Sequence, residues 1–228
     1  MDFPGLPARL AQVRDSIARA QRRGGWTHDV RIVAVTKSFG PEAVRAAIAA
    51  GLTAIGENRV QEAIAKQDVL GDVAAEWHLI GSLQRNKVRH AAGRFALIHS
   101  VDRPDLAREL DRRSLGGRPQ RILVQVNCSA EPQKGGVEPG ELASLLDEIR
   151  SLNRLELAGL MTMAEFTDAE SVQRAAFAQL RSLRDKGVRD GHTLPELSIG
   201  MSGDYPVAVE EGATMMRLGT VLFGGRLA

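Results

Sequence analysis

Apolar residues along this chain follow two alternating spacings: short unbroken runs, and longer segments repeating every three or four positions. The unbroken runs predict strands buried on both faces, and the three-to-four spacing predicts helices with one face on a core. Leu10, Val13 and Ile17 predict an amphipathic first helix stopped by Gly24-Gly25. Ile32-Val33-Ala34-Val35 predicts the first strand, and Pro41 opens a helix with Val44 and Ile48 on one face and Gly51 at its end. A short strand at Thr53-Ala54-Ile55 precedes a helix marked by Val60, Ala63 and Ile64. Residues 77–80 predict a third strand and 84–92 a helix, then 95–98 a fourth strand and a helix opening at Asp102 and Pro104. Residues 122–126 form the fifth predicted strand, with Leu142, Leu145, Leu146 and Ile149 on the next helix. Residues 155–160 form the sixth, followed by a helical face of Val172, Ala176, Leu180 and Leu183. Leu197-Ser198-Ile199 and Thr214-Met215-Met216 supply the last two.

Eight short strands alternating with helices predict an α/β protein. Closure into a single (β/α)8 TIM barrel with an extra N-terminal helix leaves no strand edge unpaired. No linker or shift of composition interrupts the pattern, so residues 1–228 are expected to form a single domain. An open doubly wound sheet is the alternative the pattern permits.

Composition narrows the function. The 30 basic and 28 acidic residues leave a net charge of +2, and aromatic residues are 4% of the chain. Without an aromatic-and-basic platform, no nucleic-acid role is expected. The single cysteine, Cys128, excludes an intramolecular disulfide and a cysteine-rich metal site, and is read as a small core or site-lining residue. The N-terminus has no basic region leading into an apolar core, and no apolar run approaches a membrane span, so a cytoplasmic setting away from membranes is expected.

The candidate chemistry gathers at strand ends. Lys37 follows the first strand at its carboxyl end, where ligands bind in parallel α/β folds. An ion-paired lysine is one reading of that position. The other is an amine poised to attack a carbonyl, since burial favours the uncharged form. Glycine-containing turns, Gly200-Met201-Ser202-Gly203 and Leu218-Gly219-Thr220, follow the seventh and eighth strands, the usual phosphate position in such barrels. Their N–H groups can approach phosphate oxygens, and Ser202 and Thr220 add hydroxyls. Arg217, ending the eighth strand, is expected to face the mouth. An amine, a phosphate cup and a fixed guanidinium together suit pyridoxal 5'-phosphate. His78 and His99 lie in strands, where a hydrogen-bonded core histidine is the commoner outcome, and His99 is read as one. Glu57 is expected to pair with a nearby cation, and Gln84-Arg85-Asn86-Lys87 to be either a solvated face or a family-specific surface.

Five stretches then carry a resemblance that spans the chain: Ala34-Val35-Thr36-Lys37, Ile55-Gly56-Glu57-Asn58-Arg59-Val60-Gln61-Glu62, residues 77–87, Ser198-Ile199-Gly200-Met201-Ser202-Gly203-Asp204, and Arg217-Leu218-Gly219-Thr220. The chain resembles the YggS/PROSC family of pyridoxal-phosphate-binding proteins, which share the barrel of the alanine racemase N-terminal domain. The resemblance implies a Schiff base on Lys37 and phosphate contacts from Ser202, Gly203, Gly219 and Thr220. It also implies Arg217 beside the pyridine nitrogen, Asn58 near the cofactor, and a supporting role near the site for His78, which lies in the third of these stretches. Arg59 stands where the family often has tyrosine, and Gly203 where it often has an acidic residue.

The function so implied is cofactor homeostasis, meaning storage, buffering or delivery of pyridoxal 5'-phosphate, without robust catalysis. The expected partners are the cofactor itself and apo-enzymes that need it, and the expected state is a monomer. The alternative is a weak pyridoxal-phosphate-dependent amino-acid racemase. Against it, the chain ends where the barrel closes and its sole tyrosine, Tyr205, is read as a packing or loop residue. A third reading, phosphosugar chemistry on Lys37, leaves Arg217 without a purpose.

Overall fold

The structure, a computed structural model, describes residues 3–115, 117–129, 131 and 134–225. Helix α1 (Leu6–Gly24) precedes β1 (Arg31–Val35), α2 (Pro41–Ala49), β2 (Ala54–Glu57), α3 (Val60–Leu70) and β3 (Glu76–Leu79). Then come α4 (Val88–Ala91), β4 (Leu97–Val101), α5 (Pro104–Arg113), β5 (Gln120–Gln125), α6 (Leu142–Arg150) and β6 (Leu155–Met161). Helix α7 (Glu170–Arg189), β7 (Glu196–Ser198), α8 (Tyr205–Glu210), β8 (Met215–Leu218) and α9 (Thr220–Phe223) complete the series. All eight strands are parallel, and β8 pairs with β1 to close the barrel. The expected (β/α)8 barrel with its leading helix is therefore observed.

Local chemistry explains the element ends. Helix α1 stops at Gly25, which takes the left-handed φ of 73° that an ordinary side chain would resist. Pro41 and Pro104 open α2 and α5, where a missing N–H costs nothing.

Pairing moves several expected boundaries. β2 runs on through Glu57, and Thr53 lies outside it. β4 begins at Leu97 rather than at Phe95, because register with β3 and β5 sets a strand's span and the length of its apolar run does not. Where a helix was expected over 84–92, a 3-10 turn at Arg85–Lys87 leads into the short α4. Val172 faces solvent, and Gln173 and Phe177 take its place on the buried face of α7.

Strand alternation divides the core in two. Val33, Ala54, Leu97, Leu123, Ala158, Met161 and Met215 fill the barrel. A larger cluster, including Ile32, Ala34, Ile55, Leu79 and Phe177, lies between the barrel and the helices. Near the amino end of the strands, Arg31 pairs with Glu76 at 3.5 Å and Arg121 with Glu156 at 3.0 Å. The opposite, carboxyl end is free to carry the chemistry.

Candidate functional site

Lys37 stands at that mouth, half-buried, in the tight turn directly after β1. The Phe39 N–H donates to the Thr36 carbonyl at 3.1 Å and closes the turn around Lys37 and Ser38. Ser38 has φ 67°, the sole positive value at a non-glycine among the described residues.

β1 and β8 are neighbours, with Ala34 opposite Leu218, so the turn after β8 abuts the Lys37 turn. Gly219 sits so close that a Cβ on it would lie 3.4 Å from the Val35 carbonyl oxygen. The Gly219 and Val221 N–H groups both donate to Ser202 Oγ, each at 3.2 Å. Two N–H groups thus converge on one oxygen, an arrangement suited to a phosphate oxygen, and the Ser202 hydroxyl keeps its own proton to donate. Thr220 is exposed in the first turn of α9.

The β7 loop is held in shape for this. Gly200 has φ 90°, and a Cβ there would meet that of Ala208 at 2.6 Å, so α8 packs against the loop only because Gly200 is glycine. Asp204 Oδ1 accepts from the Met201 N–H at 2.5 Å. Burial raises the pKa of Asp204, and the Met201 N–H bond and the Arg217 charge work against that rise. Gly203 is exposed, and a Cβ there would meet open space. Asn58, half-buried after β2, is fixed from behind, because a Cβ on Gly81 would lie 2.3 Å from the Asn58 carbonyl oxygen.

Arg217 lies inside the barrel, only 4% exposed. Its Nη1 donates to Ser198 O and Ser198 Oγ, both at 2.7 Å, and its Nη2 donates to Thr162 O at 2.9 Å. Carbonyls and a hydroxyl, not a carboxylate, therefore receive its protons. Burial lowers its pKa to about 10, which leaves it charged at neutral pH.

From Arg217 a buried chain runs on across the barrel. Ser198 Oγ is 3.0 Å from His99 Nδ1, and His99 Nε2 is 3.0 Å from His78 Nδ1. Because Arg217 already donates to Ser198 Oγ, the hydroxyl proton goes to His99 Nδ1, and His99 Nε2–H then donates to His78 Nδ1. Burial first, then the charges of Arg31 and Arg121, lowers the His78 pKa to about 3. Burial also takes His99 well below its ordinary value, so both rings are neutral. His99 is the hydrogen-bonded core residue expected, and His78 reaches the site only through it.

Glu57 finds its cation on α3. Lys66 Nζ donates to Glu57 Oε1 at 2.5 Å and to the Thr36 carbonyl at 2.8 Å, and Thr36 Oγ1 donates to Glu57 Oε1 at 2.5 Å. All three residues are buried, and desolvation raises the Glu57 pKa against the pull of Lys66 and Thr36. Lys66 escaped the sequence reading. Its signal was there: it follows Val60 and Ala63 at helical spacing on the buried stripe of α3, where a lysine needs a buried partner. Cys128 is half-buried, and burial raises its thiol to about 11, so it is no nucleophile at neutral pH. Residues 84–86 are exposed. Among the described residues no group of histidine, cysteine and carboxylate side chains could hold a metal ion, and no helix is long and apolar enough to cross a membrane.

Known proteins resemble this chain over nearly its whole length. The family described as the alanine racemase N-terminal domain matches residues 9–227. A pyridoxal phosphate homeostasis protein of Aquifex aeolicus is 42% identical over 221 residues, covering 96% of this chain and 97% of its own. One from Pseudomonas aeruginosa is 43% identical, covering 95% and 92% respectively. The solved structure of PipY from Synechococcus elongatus with PLP bound superposes with a TM-score of 0.84 at 39% identity, covering 96% of this chain and all of that one. On that breadth of similarity, the chain belongs to the alanine racemase N-terminal domain family and, within it, to the pyridoxal phosphate homeostasis proteins.

Proposed function

We propose that this protein binds pyridoxal 5'-phosphate and serves its homeostasis, holding the cofactor covalently at Lys37 and passing it to apo-enzymes that require it. The observation that carries this reading is the convergence of the Lys37 turn, the two N–H groups aimed at one oxygen, and buried Arg217 at the ends of β1, β7 and β8. The names of the relatives and the PLP bound to PipY support it.

When bound, pyridoxal phosphate supplies an aldehyde that condenses reversibly with amines and a ring that accepts electron density. In this reading Lys37 Nζ supplies the amine. The Ser202 and Thr220 hydroxyls and the N–H groups of Gly203 and Gly219 hold the phosphate, and Asn58 borders the ring. Arg217 faces the ring nitrogen, where its fixed charge disfavours a second positive charge and so weakens the ring as an electron sink. Storage suits such a site better than turnover. The chain acts in this reading as a monomer in the cytoplasm, with residues 1–228 as one cofactor-binding domain.

Ser202→Ala and Thr220→Ala should each weaken cofactor binding about ten- to a hundredfold, the loss of a hydrogen bond to a charged acceptor. Titration with pyridoxal phosphate measures this, and pyridoxal lacking the phosphate should bind far more weakly. Equal affinity for the two forms would place the phosphate elsewhere.

Racemisation distinguishes carrier from enzyme. It needs proton transfer on both faces of a carbon, and a second acid–base group contributes about 10²–10⁴-fold. Tyr205, the sole tyrosine, begins α8 and packs half-buried against the core. Chiral analysis of alanine after prolonged incubation with loaded protein should therefore find negligible interconversion, while cofactor passes measurably to an apo-enzyme. Robust racemisation that vanishes in Lys37→Ala would establish the racemase instead.

A further inference from the structure

Behind the mouth, on the outer face of the barrel, Thr36, Glu57 and Lys66 form a buried cluster that no step above uses. Its place in the chain is informative. Thr36 is the first residue of the turn that carries Lys37, and the cluster holds it twice: Lys66 Nζ on its carbonyl at 2.8 Å, and Glu57 Oε1 on its hydroxyl at 2.5 Å. The same carbonyl receives the Phe39 N–H that closes the turn. At the far side of Lys37, Ser38 is held at φ 67°, a conformation that non-glycine residues adopt only when their surroundings enforce it. Lys37 therefore sits between an anchored residue and a constrained one.

The anchoring is also costly as mere packing. Lys66 is 7% exposed and Glu57 fully buried, and Glu57 Oε2 has no hydrogen-bond partner. Hydrophobic residues of similar size would fill the same gap between β2 and α3 without burying two charges. What an apolar replacement could not do is hold the Thr36 carbonyl and hydroxyl in fixed directions.

We propose that Lys66 and Glu57 are positioning residues for Lys37, fixing the turn so that its amine meets the aldehyde carbon of the cofactor lying in the phosphate cup. The inference rests on the reading of Lys37 given above. In the step it serves, Lys37 Nζ attacks the aldehyde carbon, a C=N bond replaces the C=O bond, and one water leaves. The cluster touches neither reactant. It acts through the backbone of Thr36, and displacement of a reacting group by about 1 Å lowers rates by about a hundredfold.

The test separates attachment from binding. Stopped-flow absorbance gives the rate at which pyridoxal phosphate attaches. Affinity for pyridoxine 5'-phosphate, which has the phosphate and no aldehyde, reports the cup alone, and circular dichroism reports the fold. Lys66→Met is expected to slow attachment roughly 10- to 100-fold while its pyridoxine phosphate affinity stays within about twofold of the parent protein. Thr36→Val should shift attachment the same way, and Thr36→Ser, which restores the hydroxyl, should recover the parent rate. If Lys66→Met fails to fold, Thr36→Val, a near-isosteric change, carries the comparison. Parent-like attachment in a folded Lys66→Met or, failing that, in Thr36→Val would overturn the proposal. So would a parallel loss of pyridoxine phosphate affinity, which would make the cluster a support for the whole mouth. An adduct in the parent protein on a lysine other than Lys37 would instead defeat the underlying reading.

Discussion

Lys37→Ala protein, incubated with pyridoxal phosphate and passed through a desalting column, is expected to emerge without the visible absorption band that the parent protein carries. The effect should be near-total because, in the proposed site, Lys37 Nζ is the amine that bonds to the cofactor. A hydrogen bond lost from a cofactor weakens it by degrees, whereas a covalent bond that cannot form leaves only the non-covalent contacts. Those should survive, so the variant should still bind pyridoxine phosphate with an affinity close to that of the parent. Borohydride reduction of the loaded parent protein, followed by peptide mapping, locates the attachment. Reduced cofactor on the Lys37 peptide is the expected result, and reduced cofactor found only at Lys87 or Lys134 would move the site.

A second large effect is expected in acid. His78 has its pKa lowered from 6.5 to about 3, and His99 lies well below 6.5, both chiefly through burial. For such groups the unfolded chain takes up protons that the native barrel refuses. Their stabilising contribution is complete above pH 6.5 and is lost as the pH falls from there toward the native values. Each histidine can remove up to about 1.4 kcal/mol per pH unit within that window. Glu57 and Asp204, whose pKa values burial raises, act in the opposite sense. The histidines are therefore isolated by a variant rather than by the overall slope. His78→Gln keeps an acceptor for His99 Nε2–H and removes one titrating ring. Urea unfolding of cofactor-free protein at pH 7.5 and pH 5 should show a smaller acid-induced loss for the variant than for the parent. Identical losses would mean that His78 titrates normally in the native state.

The two rings also bear on how Arg217 is held. They form the far end of a chain that reaches Arg217 through Ser198, so the guanidinium is oriented by neutral groups: Ser198 of β7, backed by His99 of β4, and the Thr162 carbonyl just after β6. Among the described residues no carboxylate accepts from it.

How much of this could be read from the chain alone follows from the range of the interactions involved. The alternation of buried runs with three-to-four spacing is local, set by which face of each element meets a core, and it was enough to predict eight strands, their helices and barrel closure. The glycines at 200 and 219, the hydroxyls at 202 and 220, and Lys37 at a strand's end were legible for the same reason. Backbone freedom, donor chemistry and position after a strand are properties of short segments.

Tertiary structure decided everything that depends on which segments meet. β4 starts at Leu97 because pairing with its neighbours sets its span. The Gly219 and Val221 N–H groups meet on Ser202 because β7 and β8 lie side by side. Arg217 lies inside the barrel on two carbonyls and a hydroxyl because β6 and β7 pass beside it. The hydrogen bond between His78 and His99, on adjacent strands, has no trace in their spacing. Lys66 was the clearest omission. A lysine on a helix is ordinarily solvated, and it is the pairing of β1 with β2 and the packing of α3 over them that set this one against Glu57 and the Thr36 carbonyl.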